Sequence, residues 1–175
     1  MTHVTIATDD EIDAVVALVN SAFRGDSSRL GWTTEADFLG GQRTDAETLR
    51  AELAAKPGAV VLVLRDAPAG PMLGCVRVEP ATEEKWYLGM MTIDPRQQDR
   101  KLGRTLLGAA ERFVAERGAR RMRMSVIGIR SELIAWYERR GYVRSGETVE
   151  FPYGDPRFGE ARGEDLTLHV FEKTL

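Results

Sequence analysis

Cysteine and histidine are scarce in this sequence. The 175 residues include one cysteine, Cys75, and two histidines, His3 and His169. These three side chains cannot assemble a Cys/His zinc site, so we expect no bound metal. A lone cysteine also suits a reducing compartment, and we expect a cytoplasmic protein.

Long apolar segments and an excess of basic charge are also missing. The longest apolar run, residues 59–64, is far shorter than the roughly 20 residues that a membrane-spanning helix needs. No basic-then-apolar leader occupies the first ten residues, so we expect no signal peptide. The formal net charge of −3 argues against a dedicated nucleic-acid binder. We therefore expect neither a membrane nor a nucleic acid among the partners.

The composition is that of a globular protein, with 43% hydrophobic and 29% charged residues. The length predicts a single domain over residues 1–175. Alternating and buried apolar patterns predict strands at residues 3–7, 59–65, 72–79, 85–93, 120–127, 143–151 and 165–173. Helical spacing predicts helices at residues 12–23, 34–40, 44–55, 102–117 and 131–140. This order of elements implies an α/β fold with a mixed sheet.

Local signals refine these predictions. Capping boxes are predicted from Thr8 to Glu11 and from Thr44 to Glu47, each at a helix start. Gly89 inside the strand at residues 85–93 indicates a bulge or a close approach of another backbone. Cys75 lies within a predicted strand and is interpreted as core packing rather than as a nucleophile.

The stretch from residue 90 to residue 107 carries the most chemical information. A strand ends at Ile93, Pro95 terminates its pairing, and a loop rich in arginine leads into a helix. The first N–H groups of a helix have no intrahelical partner and carry partial positive charge. Gly103 permits close approach of the backbone, so the segment is suited to bind a phosphate or pyrophosphate. The alternative is a solvated basic helix start. Neither GxxxxGK[ST] nor a GxGxxG after the first strand is present.

This stretch resembles motif A of the GNAT superfamily of acetyl-CoA-dependent N-acetyltransferases. In that motif a strand and V-x-P precede [QR]-x-x-G-x-[GA], and here the latter positions run from Gln98 to Gly103. Lys101 stands where the family has its first glycine. The resemblance implies that Met91 and Ile93 pair with pantetheine. It also implies a pyrophosphate held by the backbone of Gln98, Asp99, Arg100, Lys101, Leu102, Gly103 and Arg104.

A second family motif, N-x-x-A-x-x-x-Y-x-x-x-G-[FY], matches downstream. Tyr137, Gly141 and Tyr142 are in register, whereas Arg130 replaces the asparagine and could serve CoA as a cation. The resemblance assigns Tyr137 as the acid that protonates the leaving thiolate, with direct transfer and no acyl-enzyme. Without the motif, Tyr137 would be interpreted as a core aromatic.

The resemblance extends from residue 85 to residue 175. It implies a GNAT-like fold, a mixed and mostly antiparallel sheet of about seven strands flanked by helices. It also implies transfer of an acetyl group from acetyl-CoA to a primary amine of a small molecule, and GNAT enzymes are often homodimers. Two alternatives stay open: a protein or peptide N-terminal acetyltransferase, and a non-catalytic sensor that binds acyl-CoA.

The general base is less well defined by the sequence. Some family members carry a glutamate on the strand at residues 85–93, but residues 86–89 here contain no acid. Glu35, Glu79 and Glu84 are candidates, and Glu35 is preferred because it follows the loop that contains Trp32. We expect Trp32 to contact the acceptor, together with loops at residues 24–33 and 153–164. The alternative for Trp32 is a structural residue that anchors its loop to the core.

Two further expectations concern the charges of the site. A backbone N–H near Met91 is expected to bind the developing oxyanion. Acids are frequent at residues 8–66 and arginines at residues 96–144, which predicts an acidic acceptor side and a basic cofactor side.

Overall fold

The computed structural model describes residues 1–24, 35–36, 39–151, 153, 160–161 and 166–175. The helices of this part are α1 (Ile12–Phe23), α2 (Ala46–Ala55), α3 (Leu102–Ala115) and α4 (Ser131–Glu138). The strands are β1 (His3–Ile6), β2 (Leu39–Gly40), β3 (Val60–Arg65), β4 (Gly74–Pro80), β5 (Lys85–Ile93), β6 (Arg121–Ile127), β7 (Val143–Val149), β8 (Glu160–Ala161) and β9 (Leu168–Thr174). Short 3-10 helices cover Asp9–Glu11 and Pro95–Arg100.

Seven strands form one sheet in the order β1-β3-β4-β5-β6-β9-β7. All neighbours in this sheet are antiparallel except β5 and β6, which run parallel. The predicted fold class, an α/β fold with a mixed and mostly antiparallel seven-stranded sheet, is confirmed.

Helices cover both faces of the sheet. On one face, α3 and α4 pack through residues such as Leu106 and Ile134 against strands β3 to β6. On the other face, α1 packs both against the sheet and against α2, through residues such as Val15 of α1 and Leu49 of α2. Cys75 is buried on this second face, where burial raises the pKa of its thiol to about 12, in keeping with a packing role. Because both faces are covered, β3 is an almost continuous apolar run.

Two local predictions are wrong. Leu39 and Gly40 are not helical but form β2, which pairs with β8, while the remainder of the predicted helix at residues 34–40 lies largely outside the described residues. This pairing joins distant parts of the chain and leaves no local pattern. Helix α2 is capped by Asp45 rather than Thr44, because the Asp45 carboxylate accepts from Thr48 N–H at 2.8 Å. In the other predicted box, Thr8 N–H donates to Glu11 at 3.0 Å, as expected.

Strand β5 contains a bulge next to the glycine where one was predicted. Cys75 pairs with Thr92 and Arg77 pairs with Gly89, so Val76 faces two residues, Met90 and Met91. Met90 has a φ of 59°, in the left-handed region. Gly89 itself keeps regular pairing with β4.

The bulge coincides with the point at which β5 and β6 separate. Their parallel pairing covers only Lys85–Tyr87 of β5, and beyond Tyr87 the two strands diverge. Met90 packs in the core beneath α1, whereas Met91 packs on the opposite face, against the core beneath α3. A wedge-shaped gap therefore opens in the middle of the sheet.

Lys101 adopts the backbone conformation expected of the glycine it replaces. Its φ of 58° and ψ of 16° are left-handed, and it joins the 3-10 helix at Pro95–Arg100 to α3. An L-residue in this region costs about 1–2 kcal/mol relative to the right-handed one. The turn before α3 is therefore formed despite the lysine.

We expect Lys101→Gly to be more stable than Lys101→Ala by about 1 kcal/mol, because glycine adopts a positive φ without a steric penalty. Urea denaturation of the two variants measures the difference. Both lose the same charge, so the comparison isolates backbone strain.

Arg104, in the first turn of α3, supplies the matched control. There the order should be reversed, with the alanine variant more stable by up to about 1 kcal/mol. Equal stabilities of the two Lys101 variants would contradict a left-handed residue 101.

Candidate active site

A cavity of about 790 Å³ occupies the gap between β5 and β6 and reaches both faces of the sheet. Its α3/α4 half is lined by side chains on the face that α3 and α4 cover, among them Lys101, Arg104, Trp136, Tyr137 and Arg140. Its α1/α2 half is lined on the opposite face, among others by Arg24, Glu35, Glu52, Arg77, Tyr87 and Ser125. The opening of the sheet makes these two halves one continuous space.

The α3/α4 half has the features of an anion site. The N-terminus of α3 faces it, with the N–H groups of the first turn free of intrahelical partners. Gly103 permits close packing here, since a Cβ on it would lie 3.3 Å from Trp136. Arg104 and Lys101 line the same end. These donors fit a diphosphate, as in an acyl-CoA.

Arg140 also lines this end, although neither of the two sequence motifs specifies a residue at that position. Its guanidinium lies 3.7 Å from the centre of the Trp136 ring and donates to the Trp136 carbonyl at 2.8 Å. Partial burial and the nearby charges of Arg139 and Arg104 lower its pKa. An arginine four residues after a helical tryptophan was the available signal, because such residues share a helix face.

The residues predicted to bind the cofactor fall into three groups in the structure. Those that line the cavity are Met91, Ile93, Gln98, Lys101, Gly103, Arg104 and Arg130. Leu102 is buried in the core, and the Arg100 side chain donates to Asp66 and Gln97, so these two can contribute only backbone groups. The side chain of Asp99 lies outside the described residues.

Tyr137 lies on α4 with its side chain in the cavity wall, and it is 4% exposed. Its ring makes edge contacts with Trp136 and Tyr142. Burial raises its pKa above the ordinary value near 10, while the positive charge of Arg130 acts in the opposite direction. The phenol therefore keeps its proton throughout the neutral range.

The end of α4 is fixed by a partly buried polar network. Tyr142 donates to Glu111 at 3.0 Å, and Lys173 donates to both oxygens of the same carboxylate at 3.0 and 3.1 Å. These contacts join α3, β9 and the turn after α4. Since Tyr142 contacts the Tyr137 ring, the network also restricts the orientation of Tyr137.

Glu35 lies in the α1/α2 half and is 6% exposed. Its carboxylate is 3.2 Å from Arg24 Nη1 and 3.8 Å from Arg130 Nη1. Burial lowers the pKa of both arginines, and the charge of Glu35 opposes this effect. Glu35, the predicted base, is thus held between the guanidinium groups of Arg24 and Arg130. Arg130, predicted as a cation for CoA, contacts this carboxylate. Trp32 lies outside the described residues.

The other base candidates do not line the cavity. Glu79 pairs with Lys56 at 3.3 Å, and Glu84 pairs with Arg120 at 3.5 Å. Glu52, on α2, was missed and does line it, paired with Arg77. Its spacing of four from Thr48, which also lines the cavity, was the only sequence signal.

The predicted division of charge is only half correct for the described residues. The α3/α4 half is basic, as predicted. The α1/α2 half is mixed rather than acidic, because Arg24, Arg43, Arg77 and Arg123 line it beside the glutamates. Its charges occur largely as ion pairs between different elements.

The described part of the chain contains no group of three or more His, Cys, Asp or Glu residues able to hold a metal ion. None of the helices in that part has the length and apolar character needed to cross a membrane.

Comparison with solved structures shows the same fold in several acetyltransferases. The ribosomal-protein-S18-alanine N-acetyltransferase of Escherichia coli has a TM-score of 0.70 and 14% identity, covering 99% of this chain and 94% of that one. The ribosomal-protein-alanine N-acetyltransferase of Brucella melitensis has a TM-score of 0.70 and 20% identity, with 99% of each chain covered. A protein named as a candidate phosphinothricin N-acetyltransferase has a TM-score of 0.73 and 18% identity, covering 100% of this chain and 99% of that one.

No curated protein matches the sequence at a significant level. The sequence model of the acetyltransferase (GNAT) family, however, matches residues 16–142. This range covers most of the chain and includes both the pyrophosphate-loop motif and the tyrosine motif. The chain therefore belongs to the GNAT family of acetyltransferases, whose members use acetyl-CoA as donor.

Proposed function

We propose that the protein transfers an acetyl group from acetyl-CoA to a primary amine of a small molecule. The observation that carries this proposal is the continuous cavity through the sheet, with a basic helix N-terminus in one half and ion-paired polar groups in the other. Its volume of about 790 Å³ lies in the range of small-molecule sites. Acetyl-CoA supplies the thioester when bound.

A second candidate is acetylation of a protein N-terminus. Two of the similar structures belong to enzymes named as ribosomal-protein-alanine N-acetyltransferases, although their identities of 14% and 20% support only the common fold. A transfer assay with peptides distinguishes the two functions.

In the α3/α4 half, the first turn of α3, Lys101 and Arg104 bind the diphosphate of the donor. The open edge of β5 beyond Tyr87 pairs with the pantetheine amides, since its backbone groups have no partner strand there. The backbone N–H groups at the Met90–Met91 bulge are turned out of regular pairing and polarise the thioester carbonyl.

Tyr137 protonates the sulfur as the carbon–sulfur bond breaks. The raised pKa keeps the phenol protonated until the transfer. The sulfur takes this proton as the carbon–sulfur bond breaks, and the phenolate is reprotonated by the proton that the acylated nitrogen loses. Attack by the amine is direct, and Cys75, the one thiol of the chain, is buried in the core on the α1 side, away from the cavity wall.

Acetyl-CoA is expected to raise the melting temperature by about 5 to 10 °C at a concentration near 100 times its Kd, because a ligand of the native state stabilises it. Differential scanning fluorimetry measures this shift. Arg104→Glu should largely abolish it. Arg112→Glu, on the same helix but outside the cavity wall, should retain it. No shift at millimolar acetyl-CoA would refute cofactor binding.

Transfer is tested by thiol release with a panel of alkyl amines, polyamines, aminoglycosides and peptides. We expect turnover with at least one small amine and little with peptides. Turnover with peptides alone would favour the second candidate. Acetyl-CoA binding without transfer to any acceptor would instead support a sensor.

Tyr137→Phe is expected to lower kcat by about 10²-fold, the usual contribution of a general acid, with acetyl-CoA binding nearly unchanged. Because the pKa of Tyr137 is raised, wild-type kcat should show no loss of this acid below about pH 10. Steady-state kinetics across pH measures both effects. Equal kcat values for wild type and Tyr137→Phe would remove the acid role.

A further inference from the structure

Acetyl transfer to an alkyl amine requires a proton acceptor, since such amines have pKa values near 10 and are protonated at neutral pH. Among the described residues, the carboxylates in the cavity wall are Glu35, Glu52 and Glu150. Glu35 is buried and lies between two arginines. Glu52 has one arginine partner and a side chain that is 39% exposed. Glu150 directly follows β7, which is separated from β5 by β6 and β9. Of the other two, Glu52 is the more accessible to an amine and to water.

Glu52 is held beside the bulge of β5 by a chain of contacts. Arg77 Nη1 donates to Glu52 Oε2, and no donor among the described residues bonds Oε1. The Arg77 guanidinium in turn lies over Gly89, with Nη2 3.2 Å from the place a Cβ would occupy. Any side chain at residue 89 would displace it. The Arg77 guanidinium therefore lies between Glu52 and Gly89, the residue that precedes Met90.

Two hydroxyl groups lie on the same face at the point where β5 and β6 separate. Tyr87 pairs with Arg123 in the last regular position, and its hydroxyl is 3.1 Å from Ser125 Oγ. The Tyr87 ring also lies over Gly89, because one of its carbons is 3.2 Å from the position that a Cβ on Gly89 would occupy. Arg77, Tyr87 and Ser125 thus surround the entrance to the gap from the α1/α2 half, with Glu52 above them.

We propose that Glu52 is the general base of the acetyl transfer. This proposal rests on the function proposed above. The Glu52 carboxylate accepts a proton from the acceptor ammonium, leaving the nitrogen lone pair free. The nitrogen forms a bond to the acetyl carbon, the carbon–sulfur bond breaks, and the sulfur takes its proton from Tyr137. After acylation the nitrogen loses a second proton, which passes through water to the Tyr137 oxygen and restores the phenol.

Other charged and titratable groups surround Glu52. Helix α2 contributes Lys56, which pairs with Glu79, and β4 contributes Arg77 and Glu79. Tyr87 of β5 and Arg123 of β6 line the same half of the cavity, where Arg123 pairs with Glu147 and Glu172. Glu79, Glu147 and Glu172 are each ion-paired with a lysine or arginine. The proton exchanged with the amine is assigned to Glu52, which lines the cavity.

The test is the pH dependence of kcat/KM, measured from about pH 6.5 to about pH 10 with the alkyl amine that the panel shows to be turned over fastest. Glu52→Gln should lower kcat/KM by about 10²-fold near pH 7, and the deficit should shrink as the amine loses its own proton near pH 10. Glu52→Asp should restore part of the activity. The acetyl-CoA melting shift should stay unchanged in both variants.

Glu47→Gln, at an exposed position of the same helix, is the matched control and should behave as wild type. Glu35→Gln tests the base predicted from the sequence. A deficit in Glu52→Gln that is absent or independent of pH would overturn the proposal, as would a pH-dependent deficit found in Glu35→Gln instead. If the wild-type protein acetylates no amine, the proposed function fails and the role of Glu52 fails with it.

Discussion

The early end of the pairing between β5 and β6 is the constraint on which the rest of the structure depends. A parallel ladder continued past Tyr87 would close the sheet and leave two separate surface grooves. The extra residue of the bulge, with Met90 in the left-handed region, turns β5 away from β6 instead. Both the strain of this residue and the unpaired strand edges are retained because packed cores on either side of the sheet hold the strands in place.

Ion pairs between different elements organise the α1/α2 half. Glu35 meets Arg24 at the end of α1 and Arg130 at the start of α4, while Glu52 of α2 meets Arg77 of β4. Buried pairs add little net stability, because desolvation offsets the Coulomb energy. Their effect here is geometric, since each fixes one helix relative to the cavity. The net charge of −3 could not reveal this arrangement, because the pairs cancel in the sum.

How well each feature could be predicted from the sequence follows from how local its cause is. The start of α3 and the position of Tyr137 are set by residues within one turn or one helix, so the motifs located both. Strand β2 depends on β8, about 120 residues away, and Glu52 is held at the cavity by its ion pair with Arg77 of β4, 25 residues further along the chain. The choice between Thr44 and Asp45 as cap was ambiguous because both residue types accept from the first turn.

The proposed acid, Tyr137, and the proposed base, Glu52, lie on opposite faces of the sheet, and the exposure of each side chain suits its proposed role. Tyr137 is 4% exposed, so its phenol stays away from bulk water and its pKa is raised. As the proposed base, Glu52 would have to release a proton to solvent after every turnover, and its side chain is 39% exposed. A buried base such as Glu35 would have no comparable path for that proton. The gap between β5 and β6 joins the two environments, so that one cavity contains both the buried Tyr137 and the partly exposed Glu52.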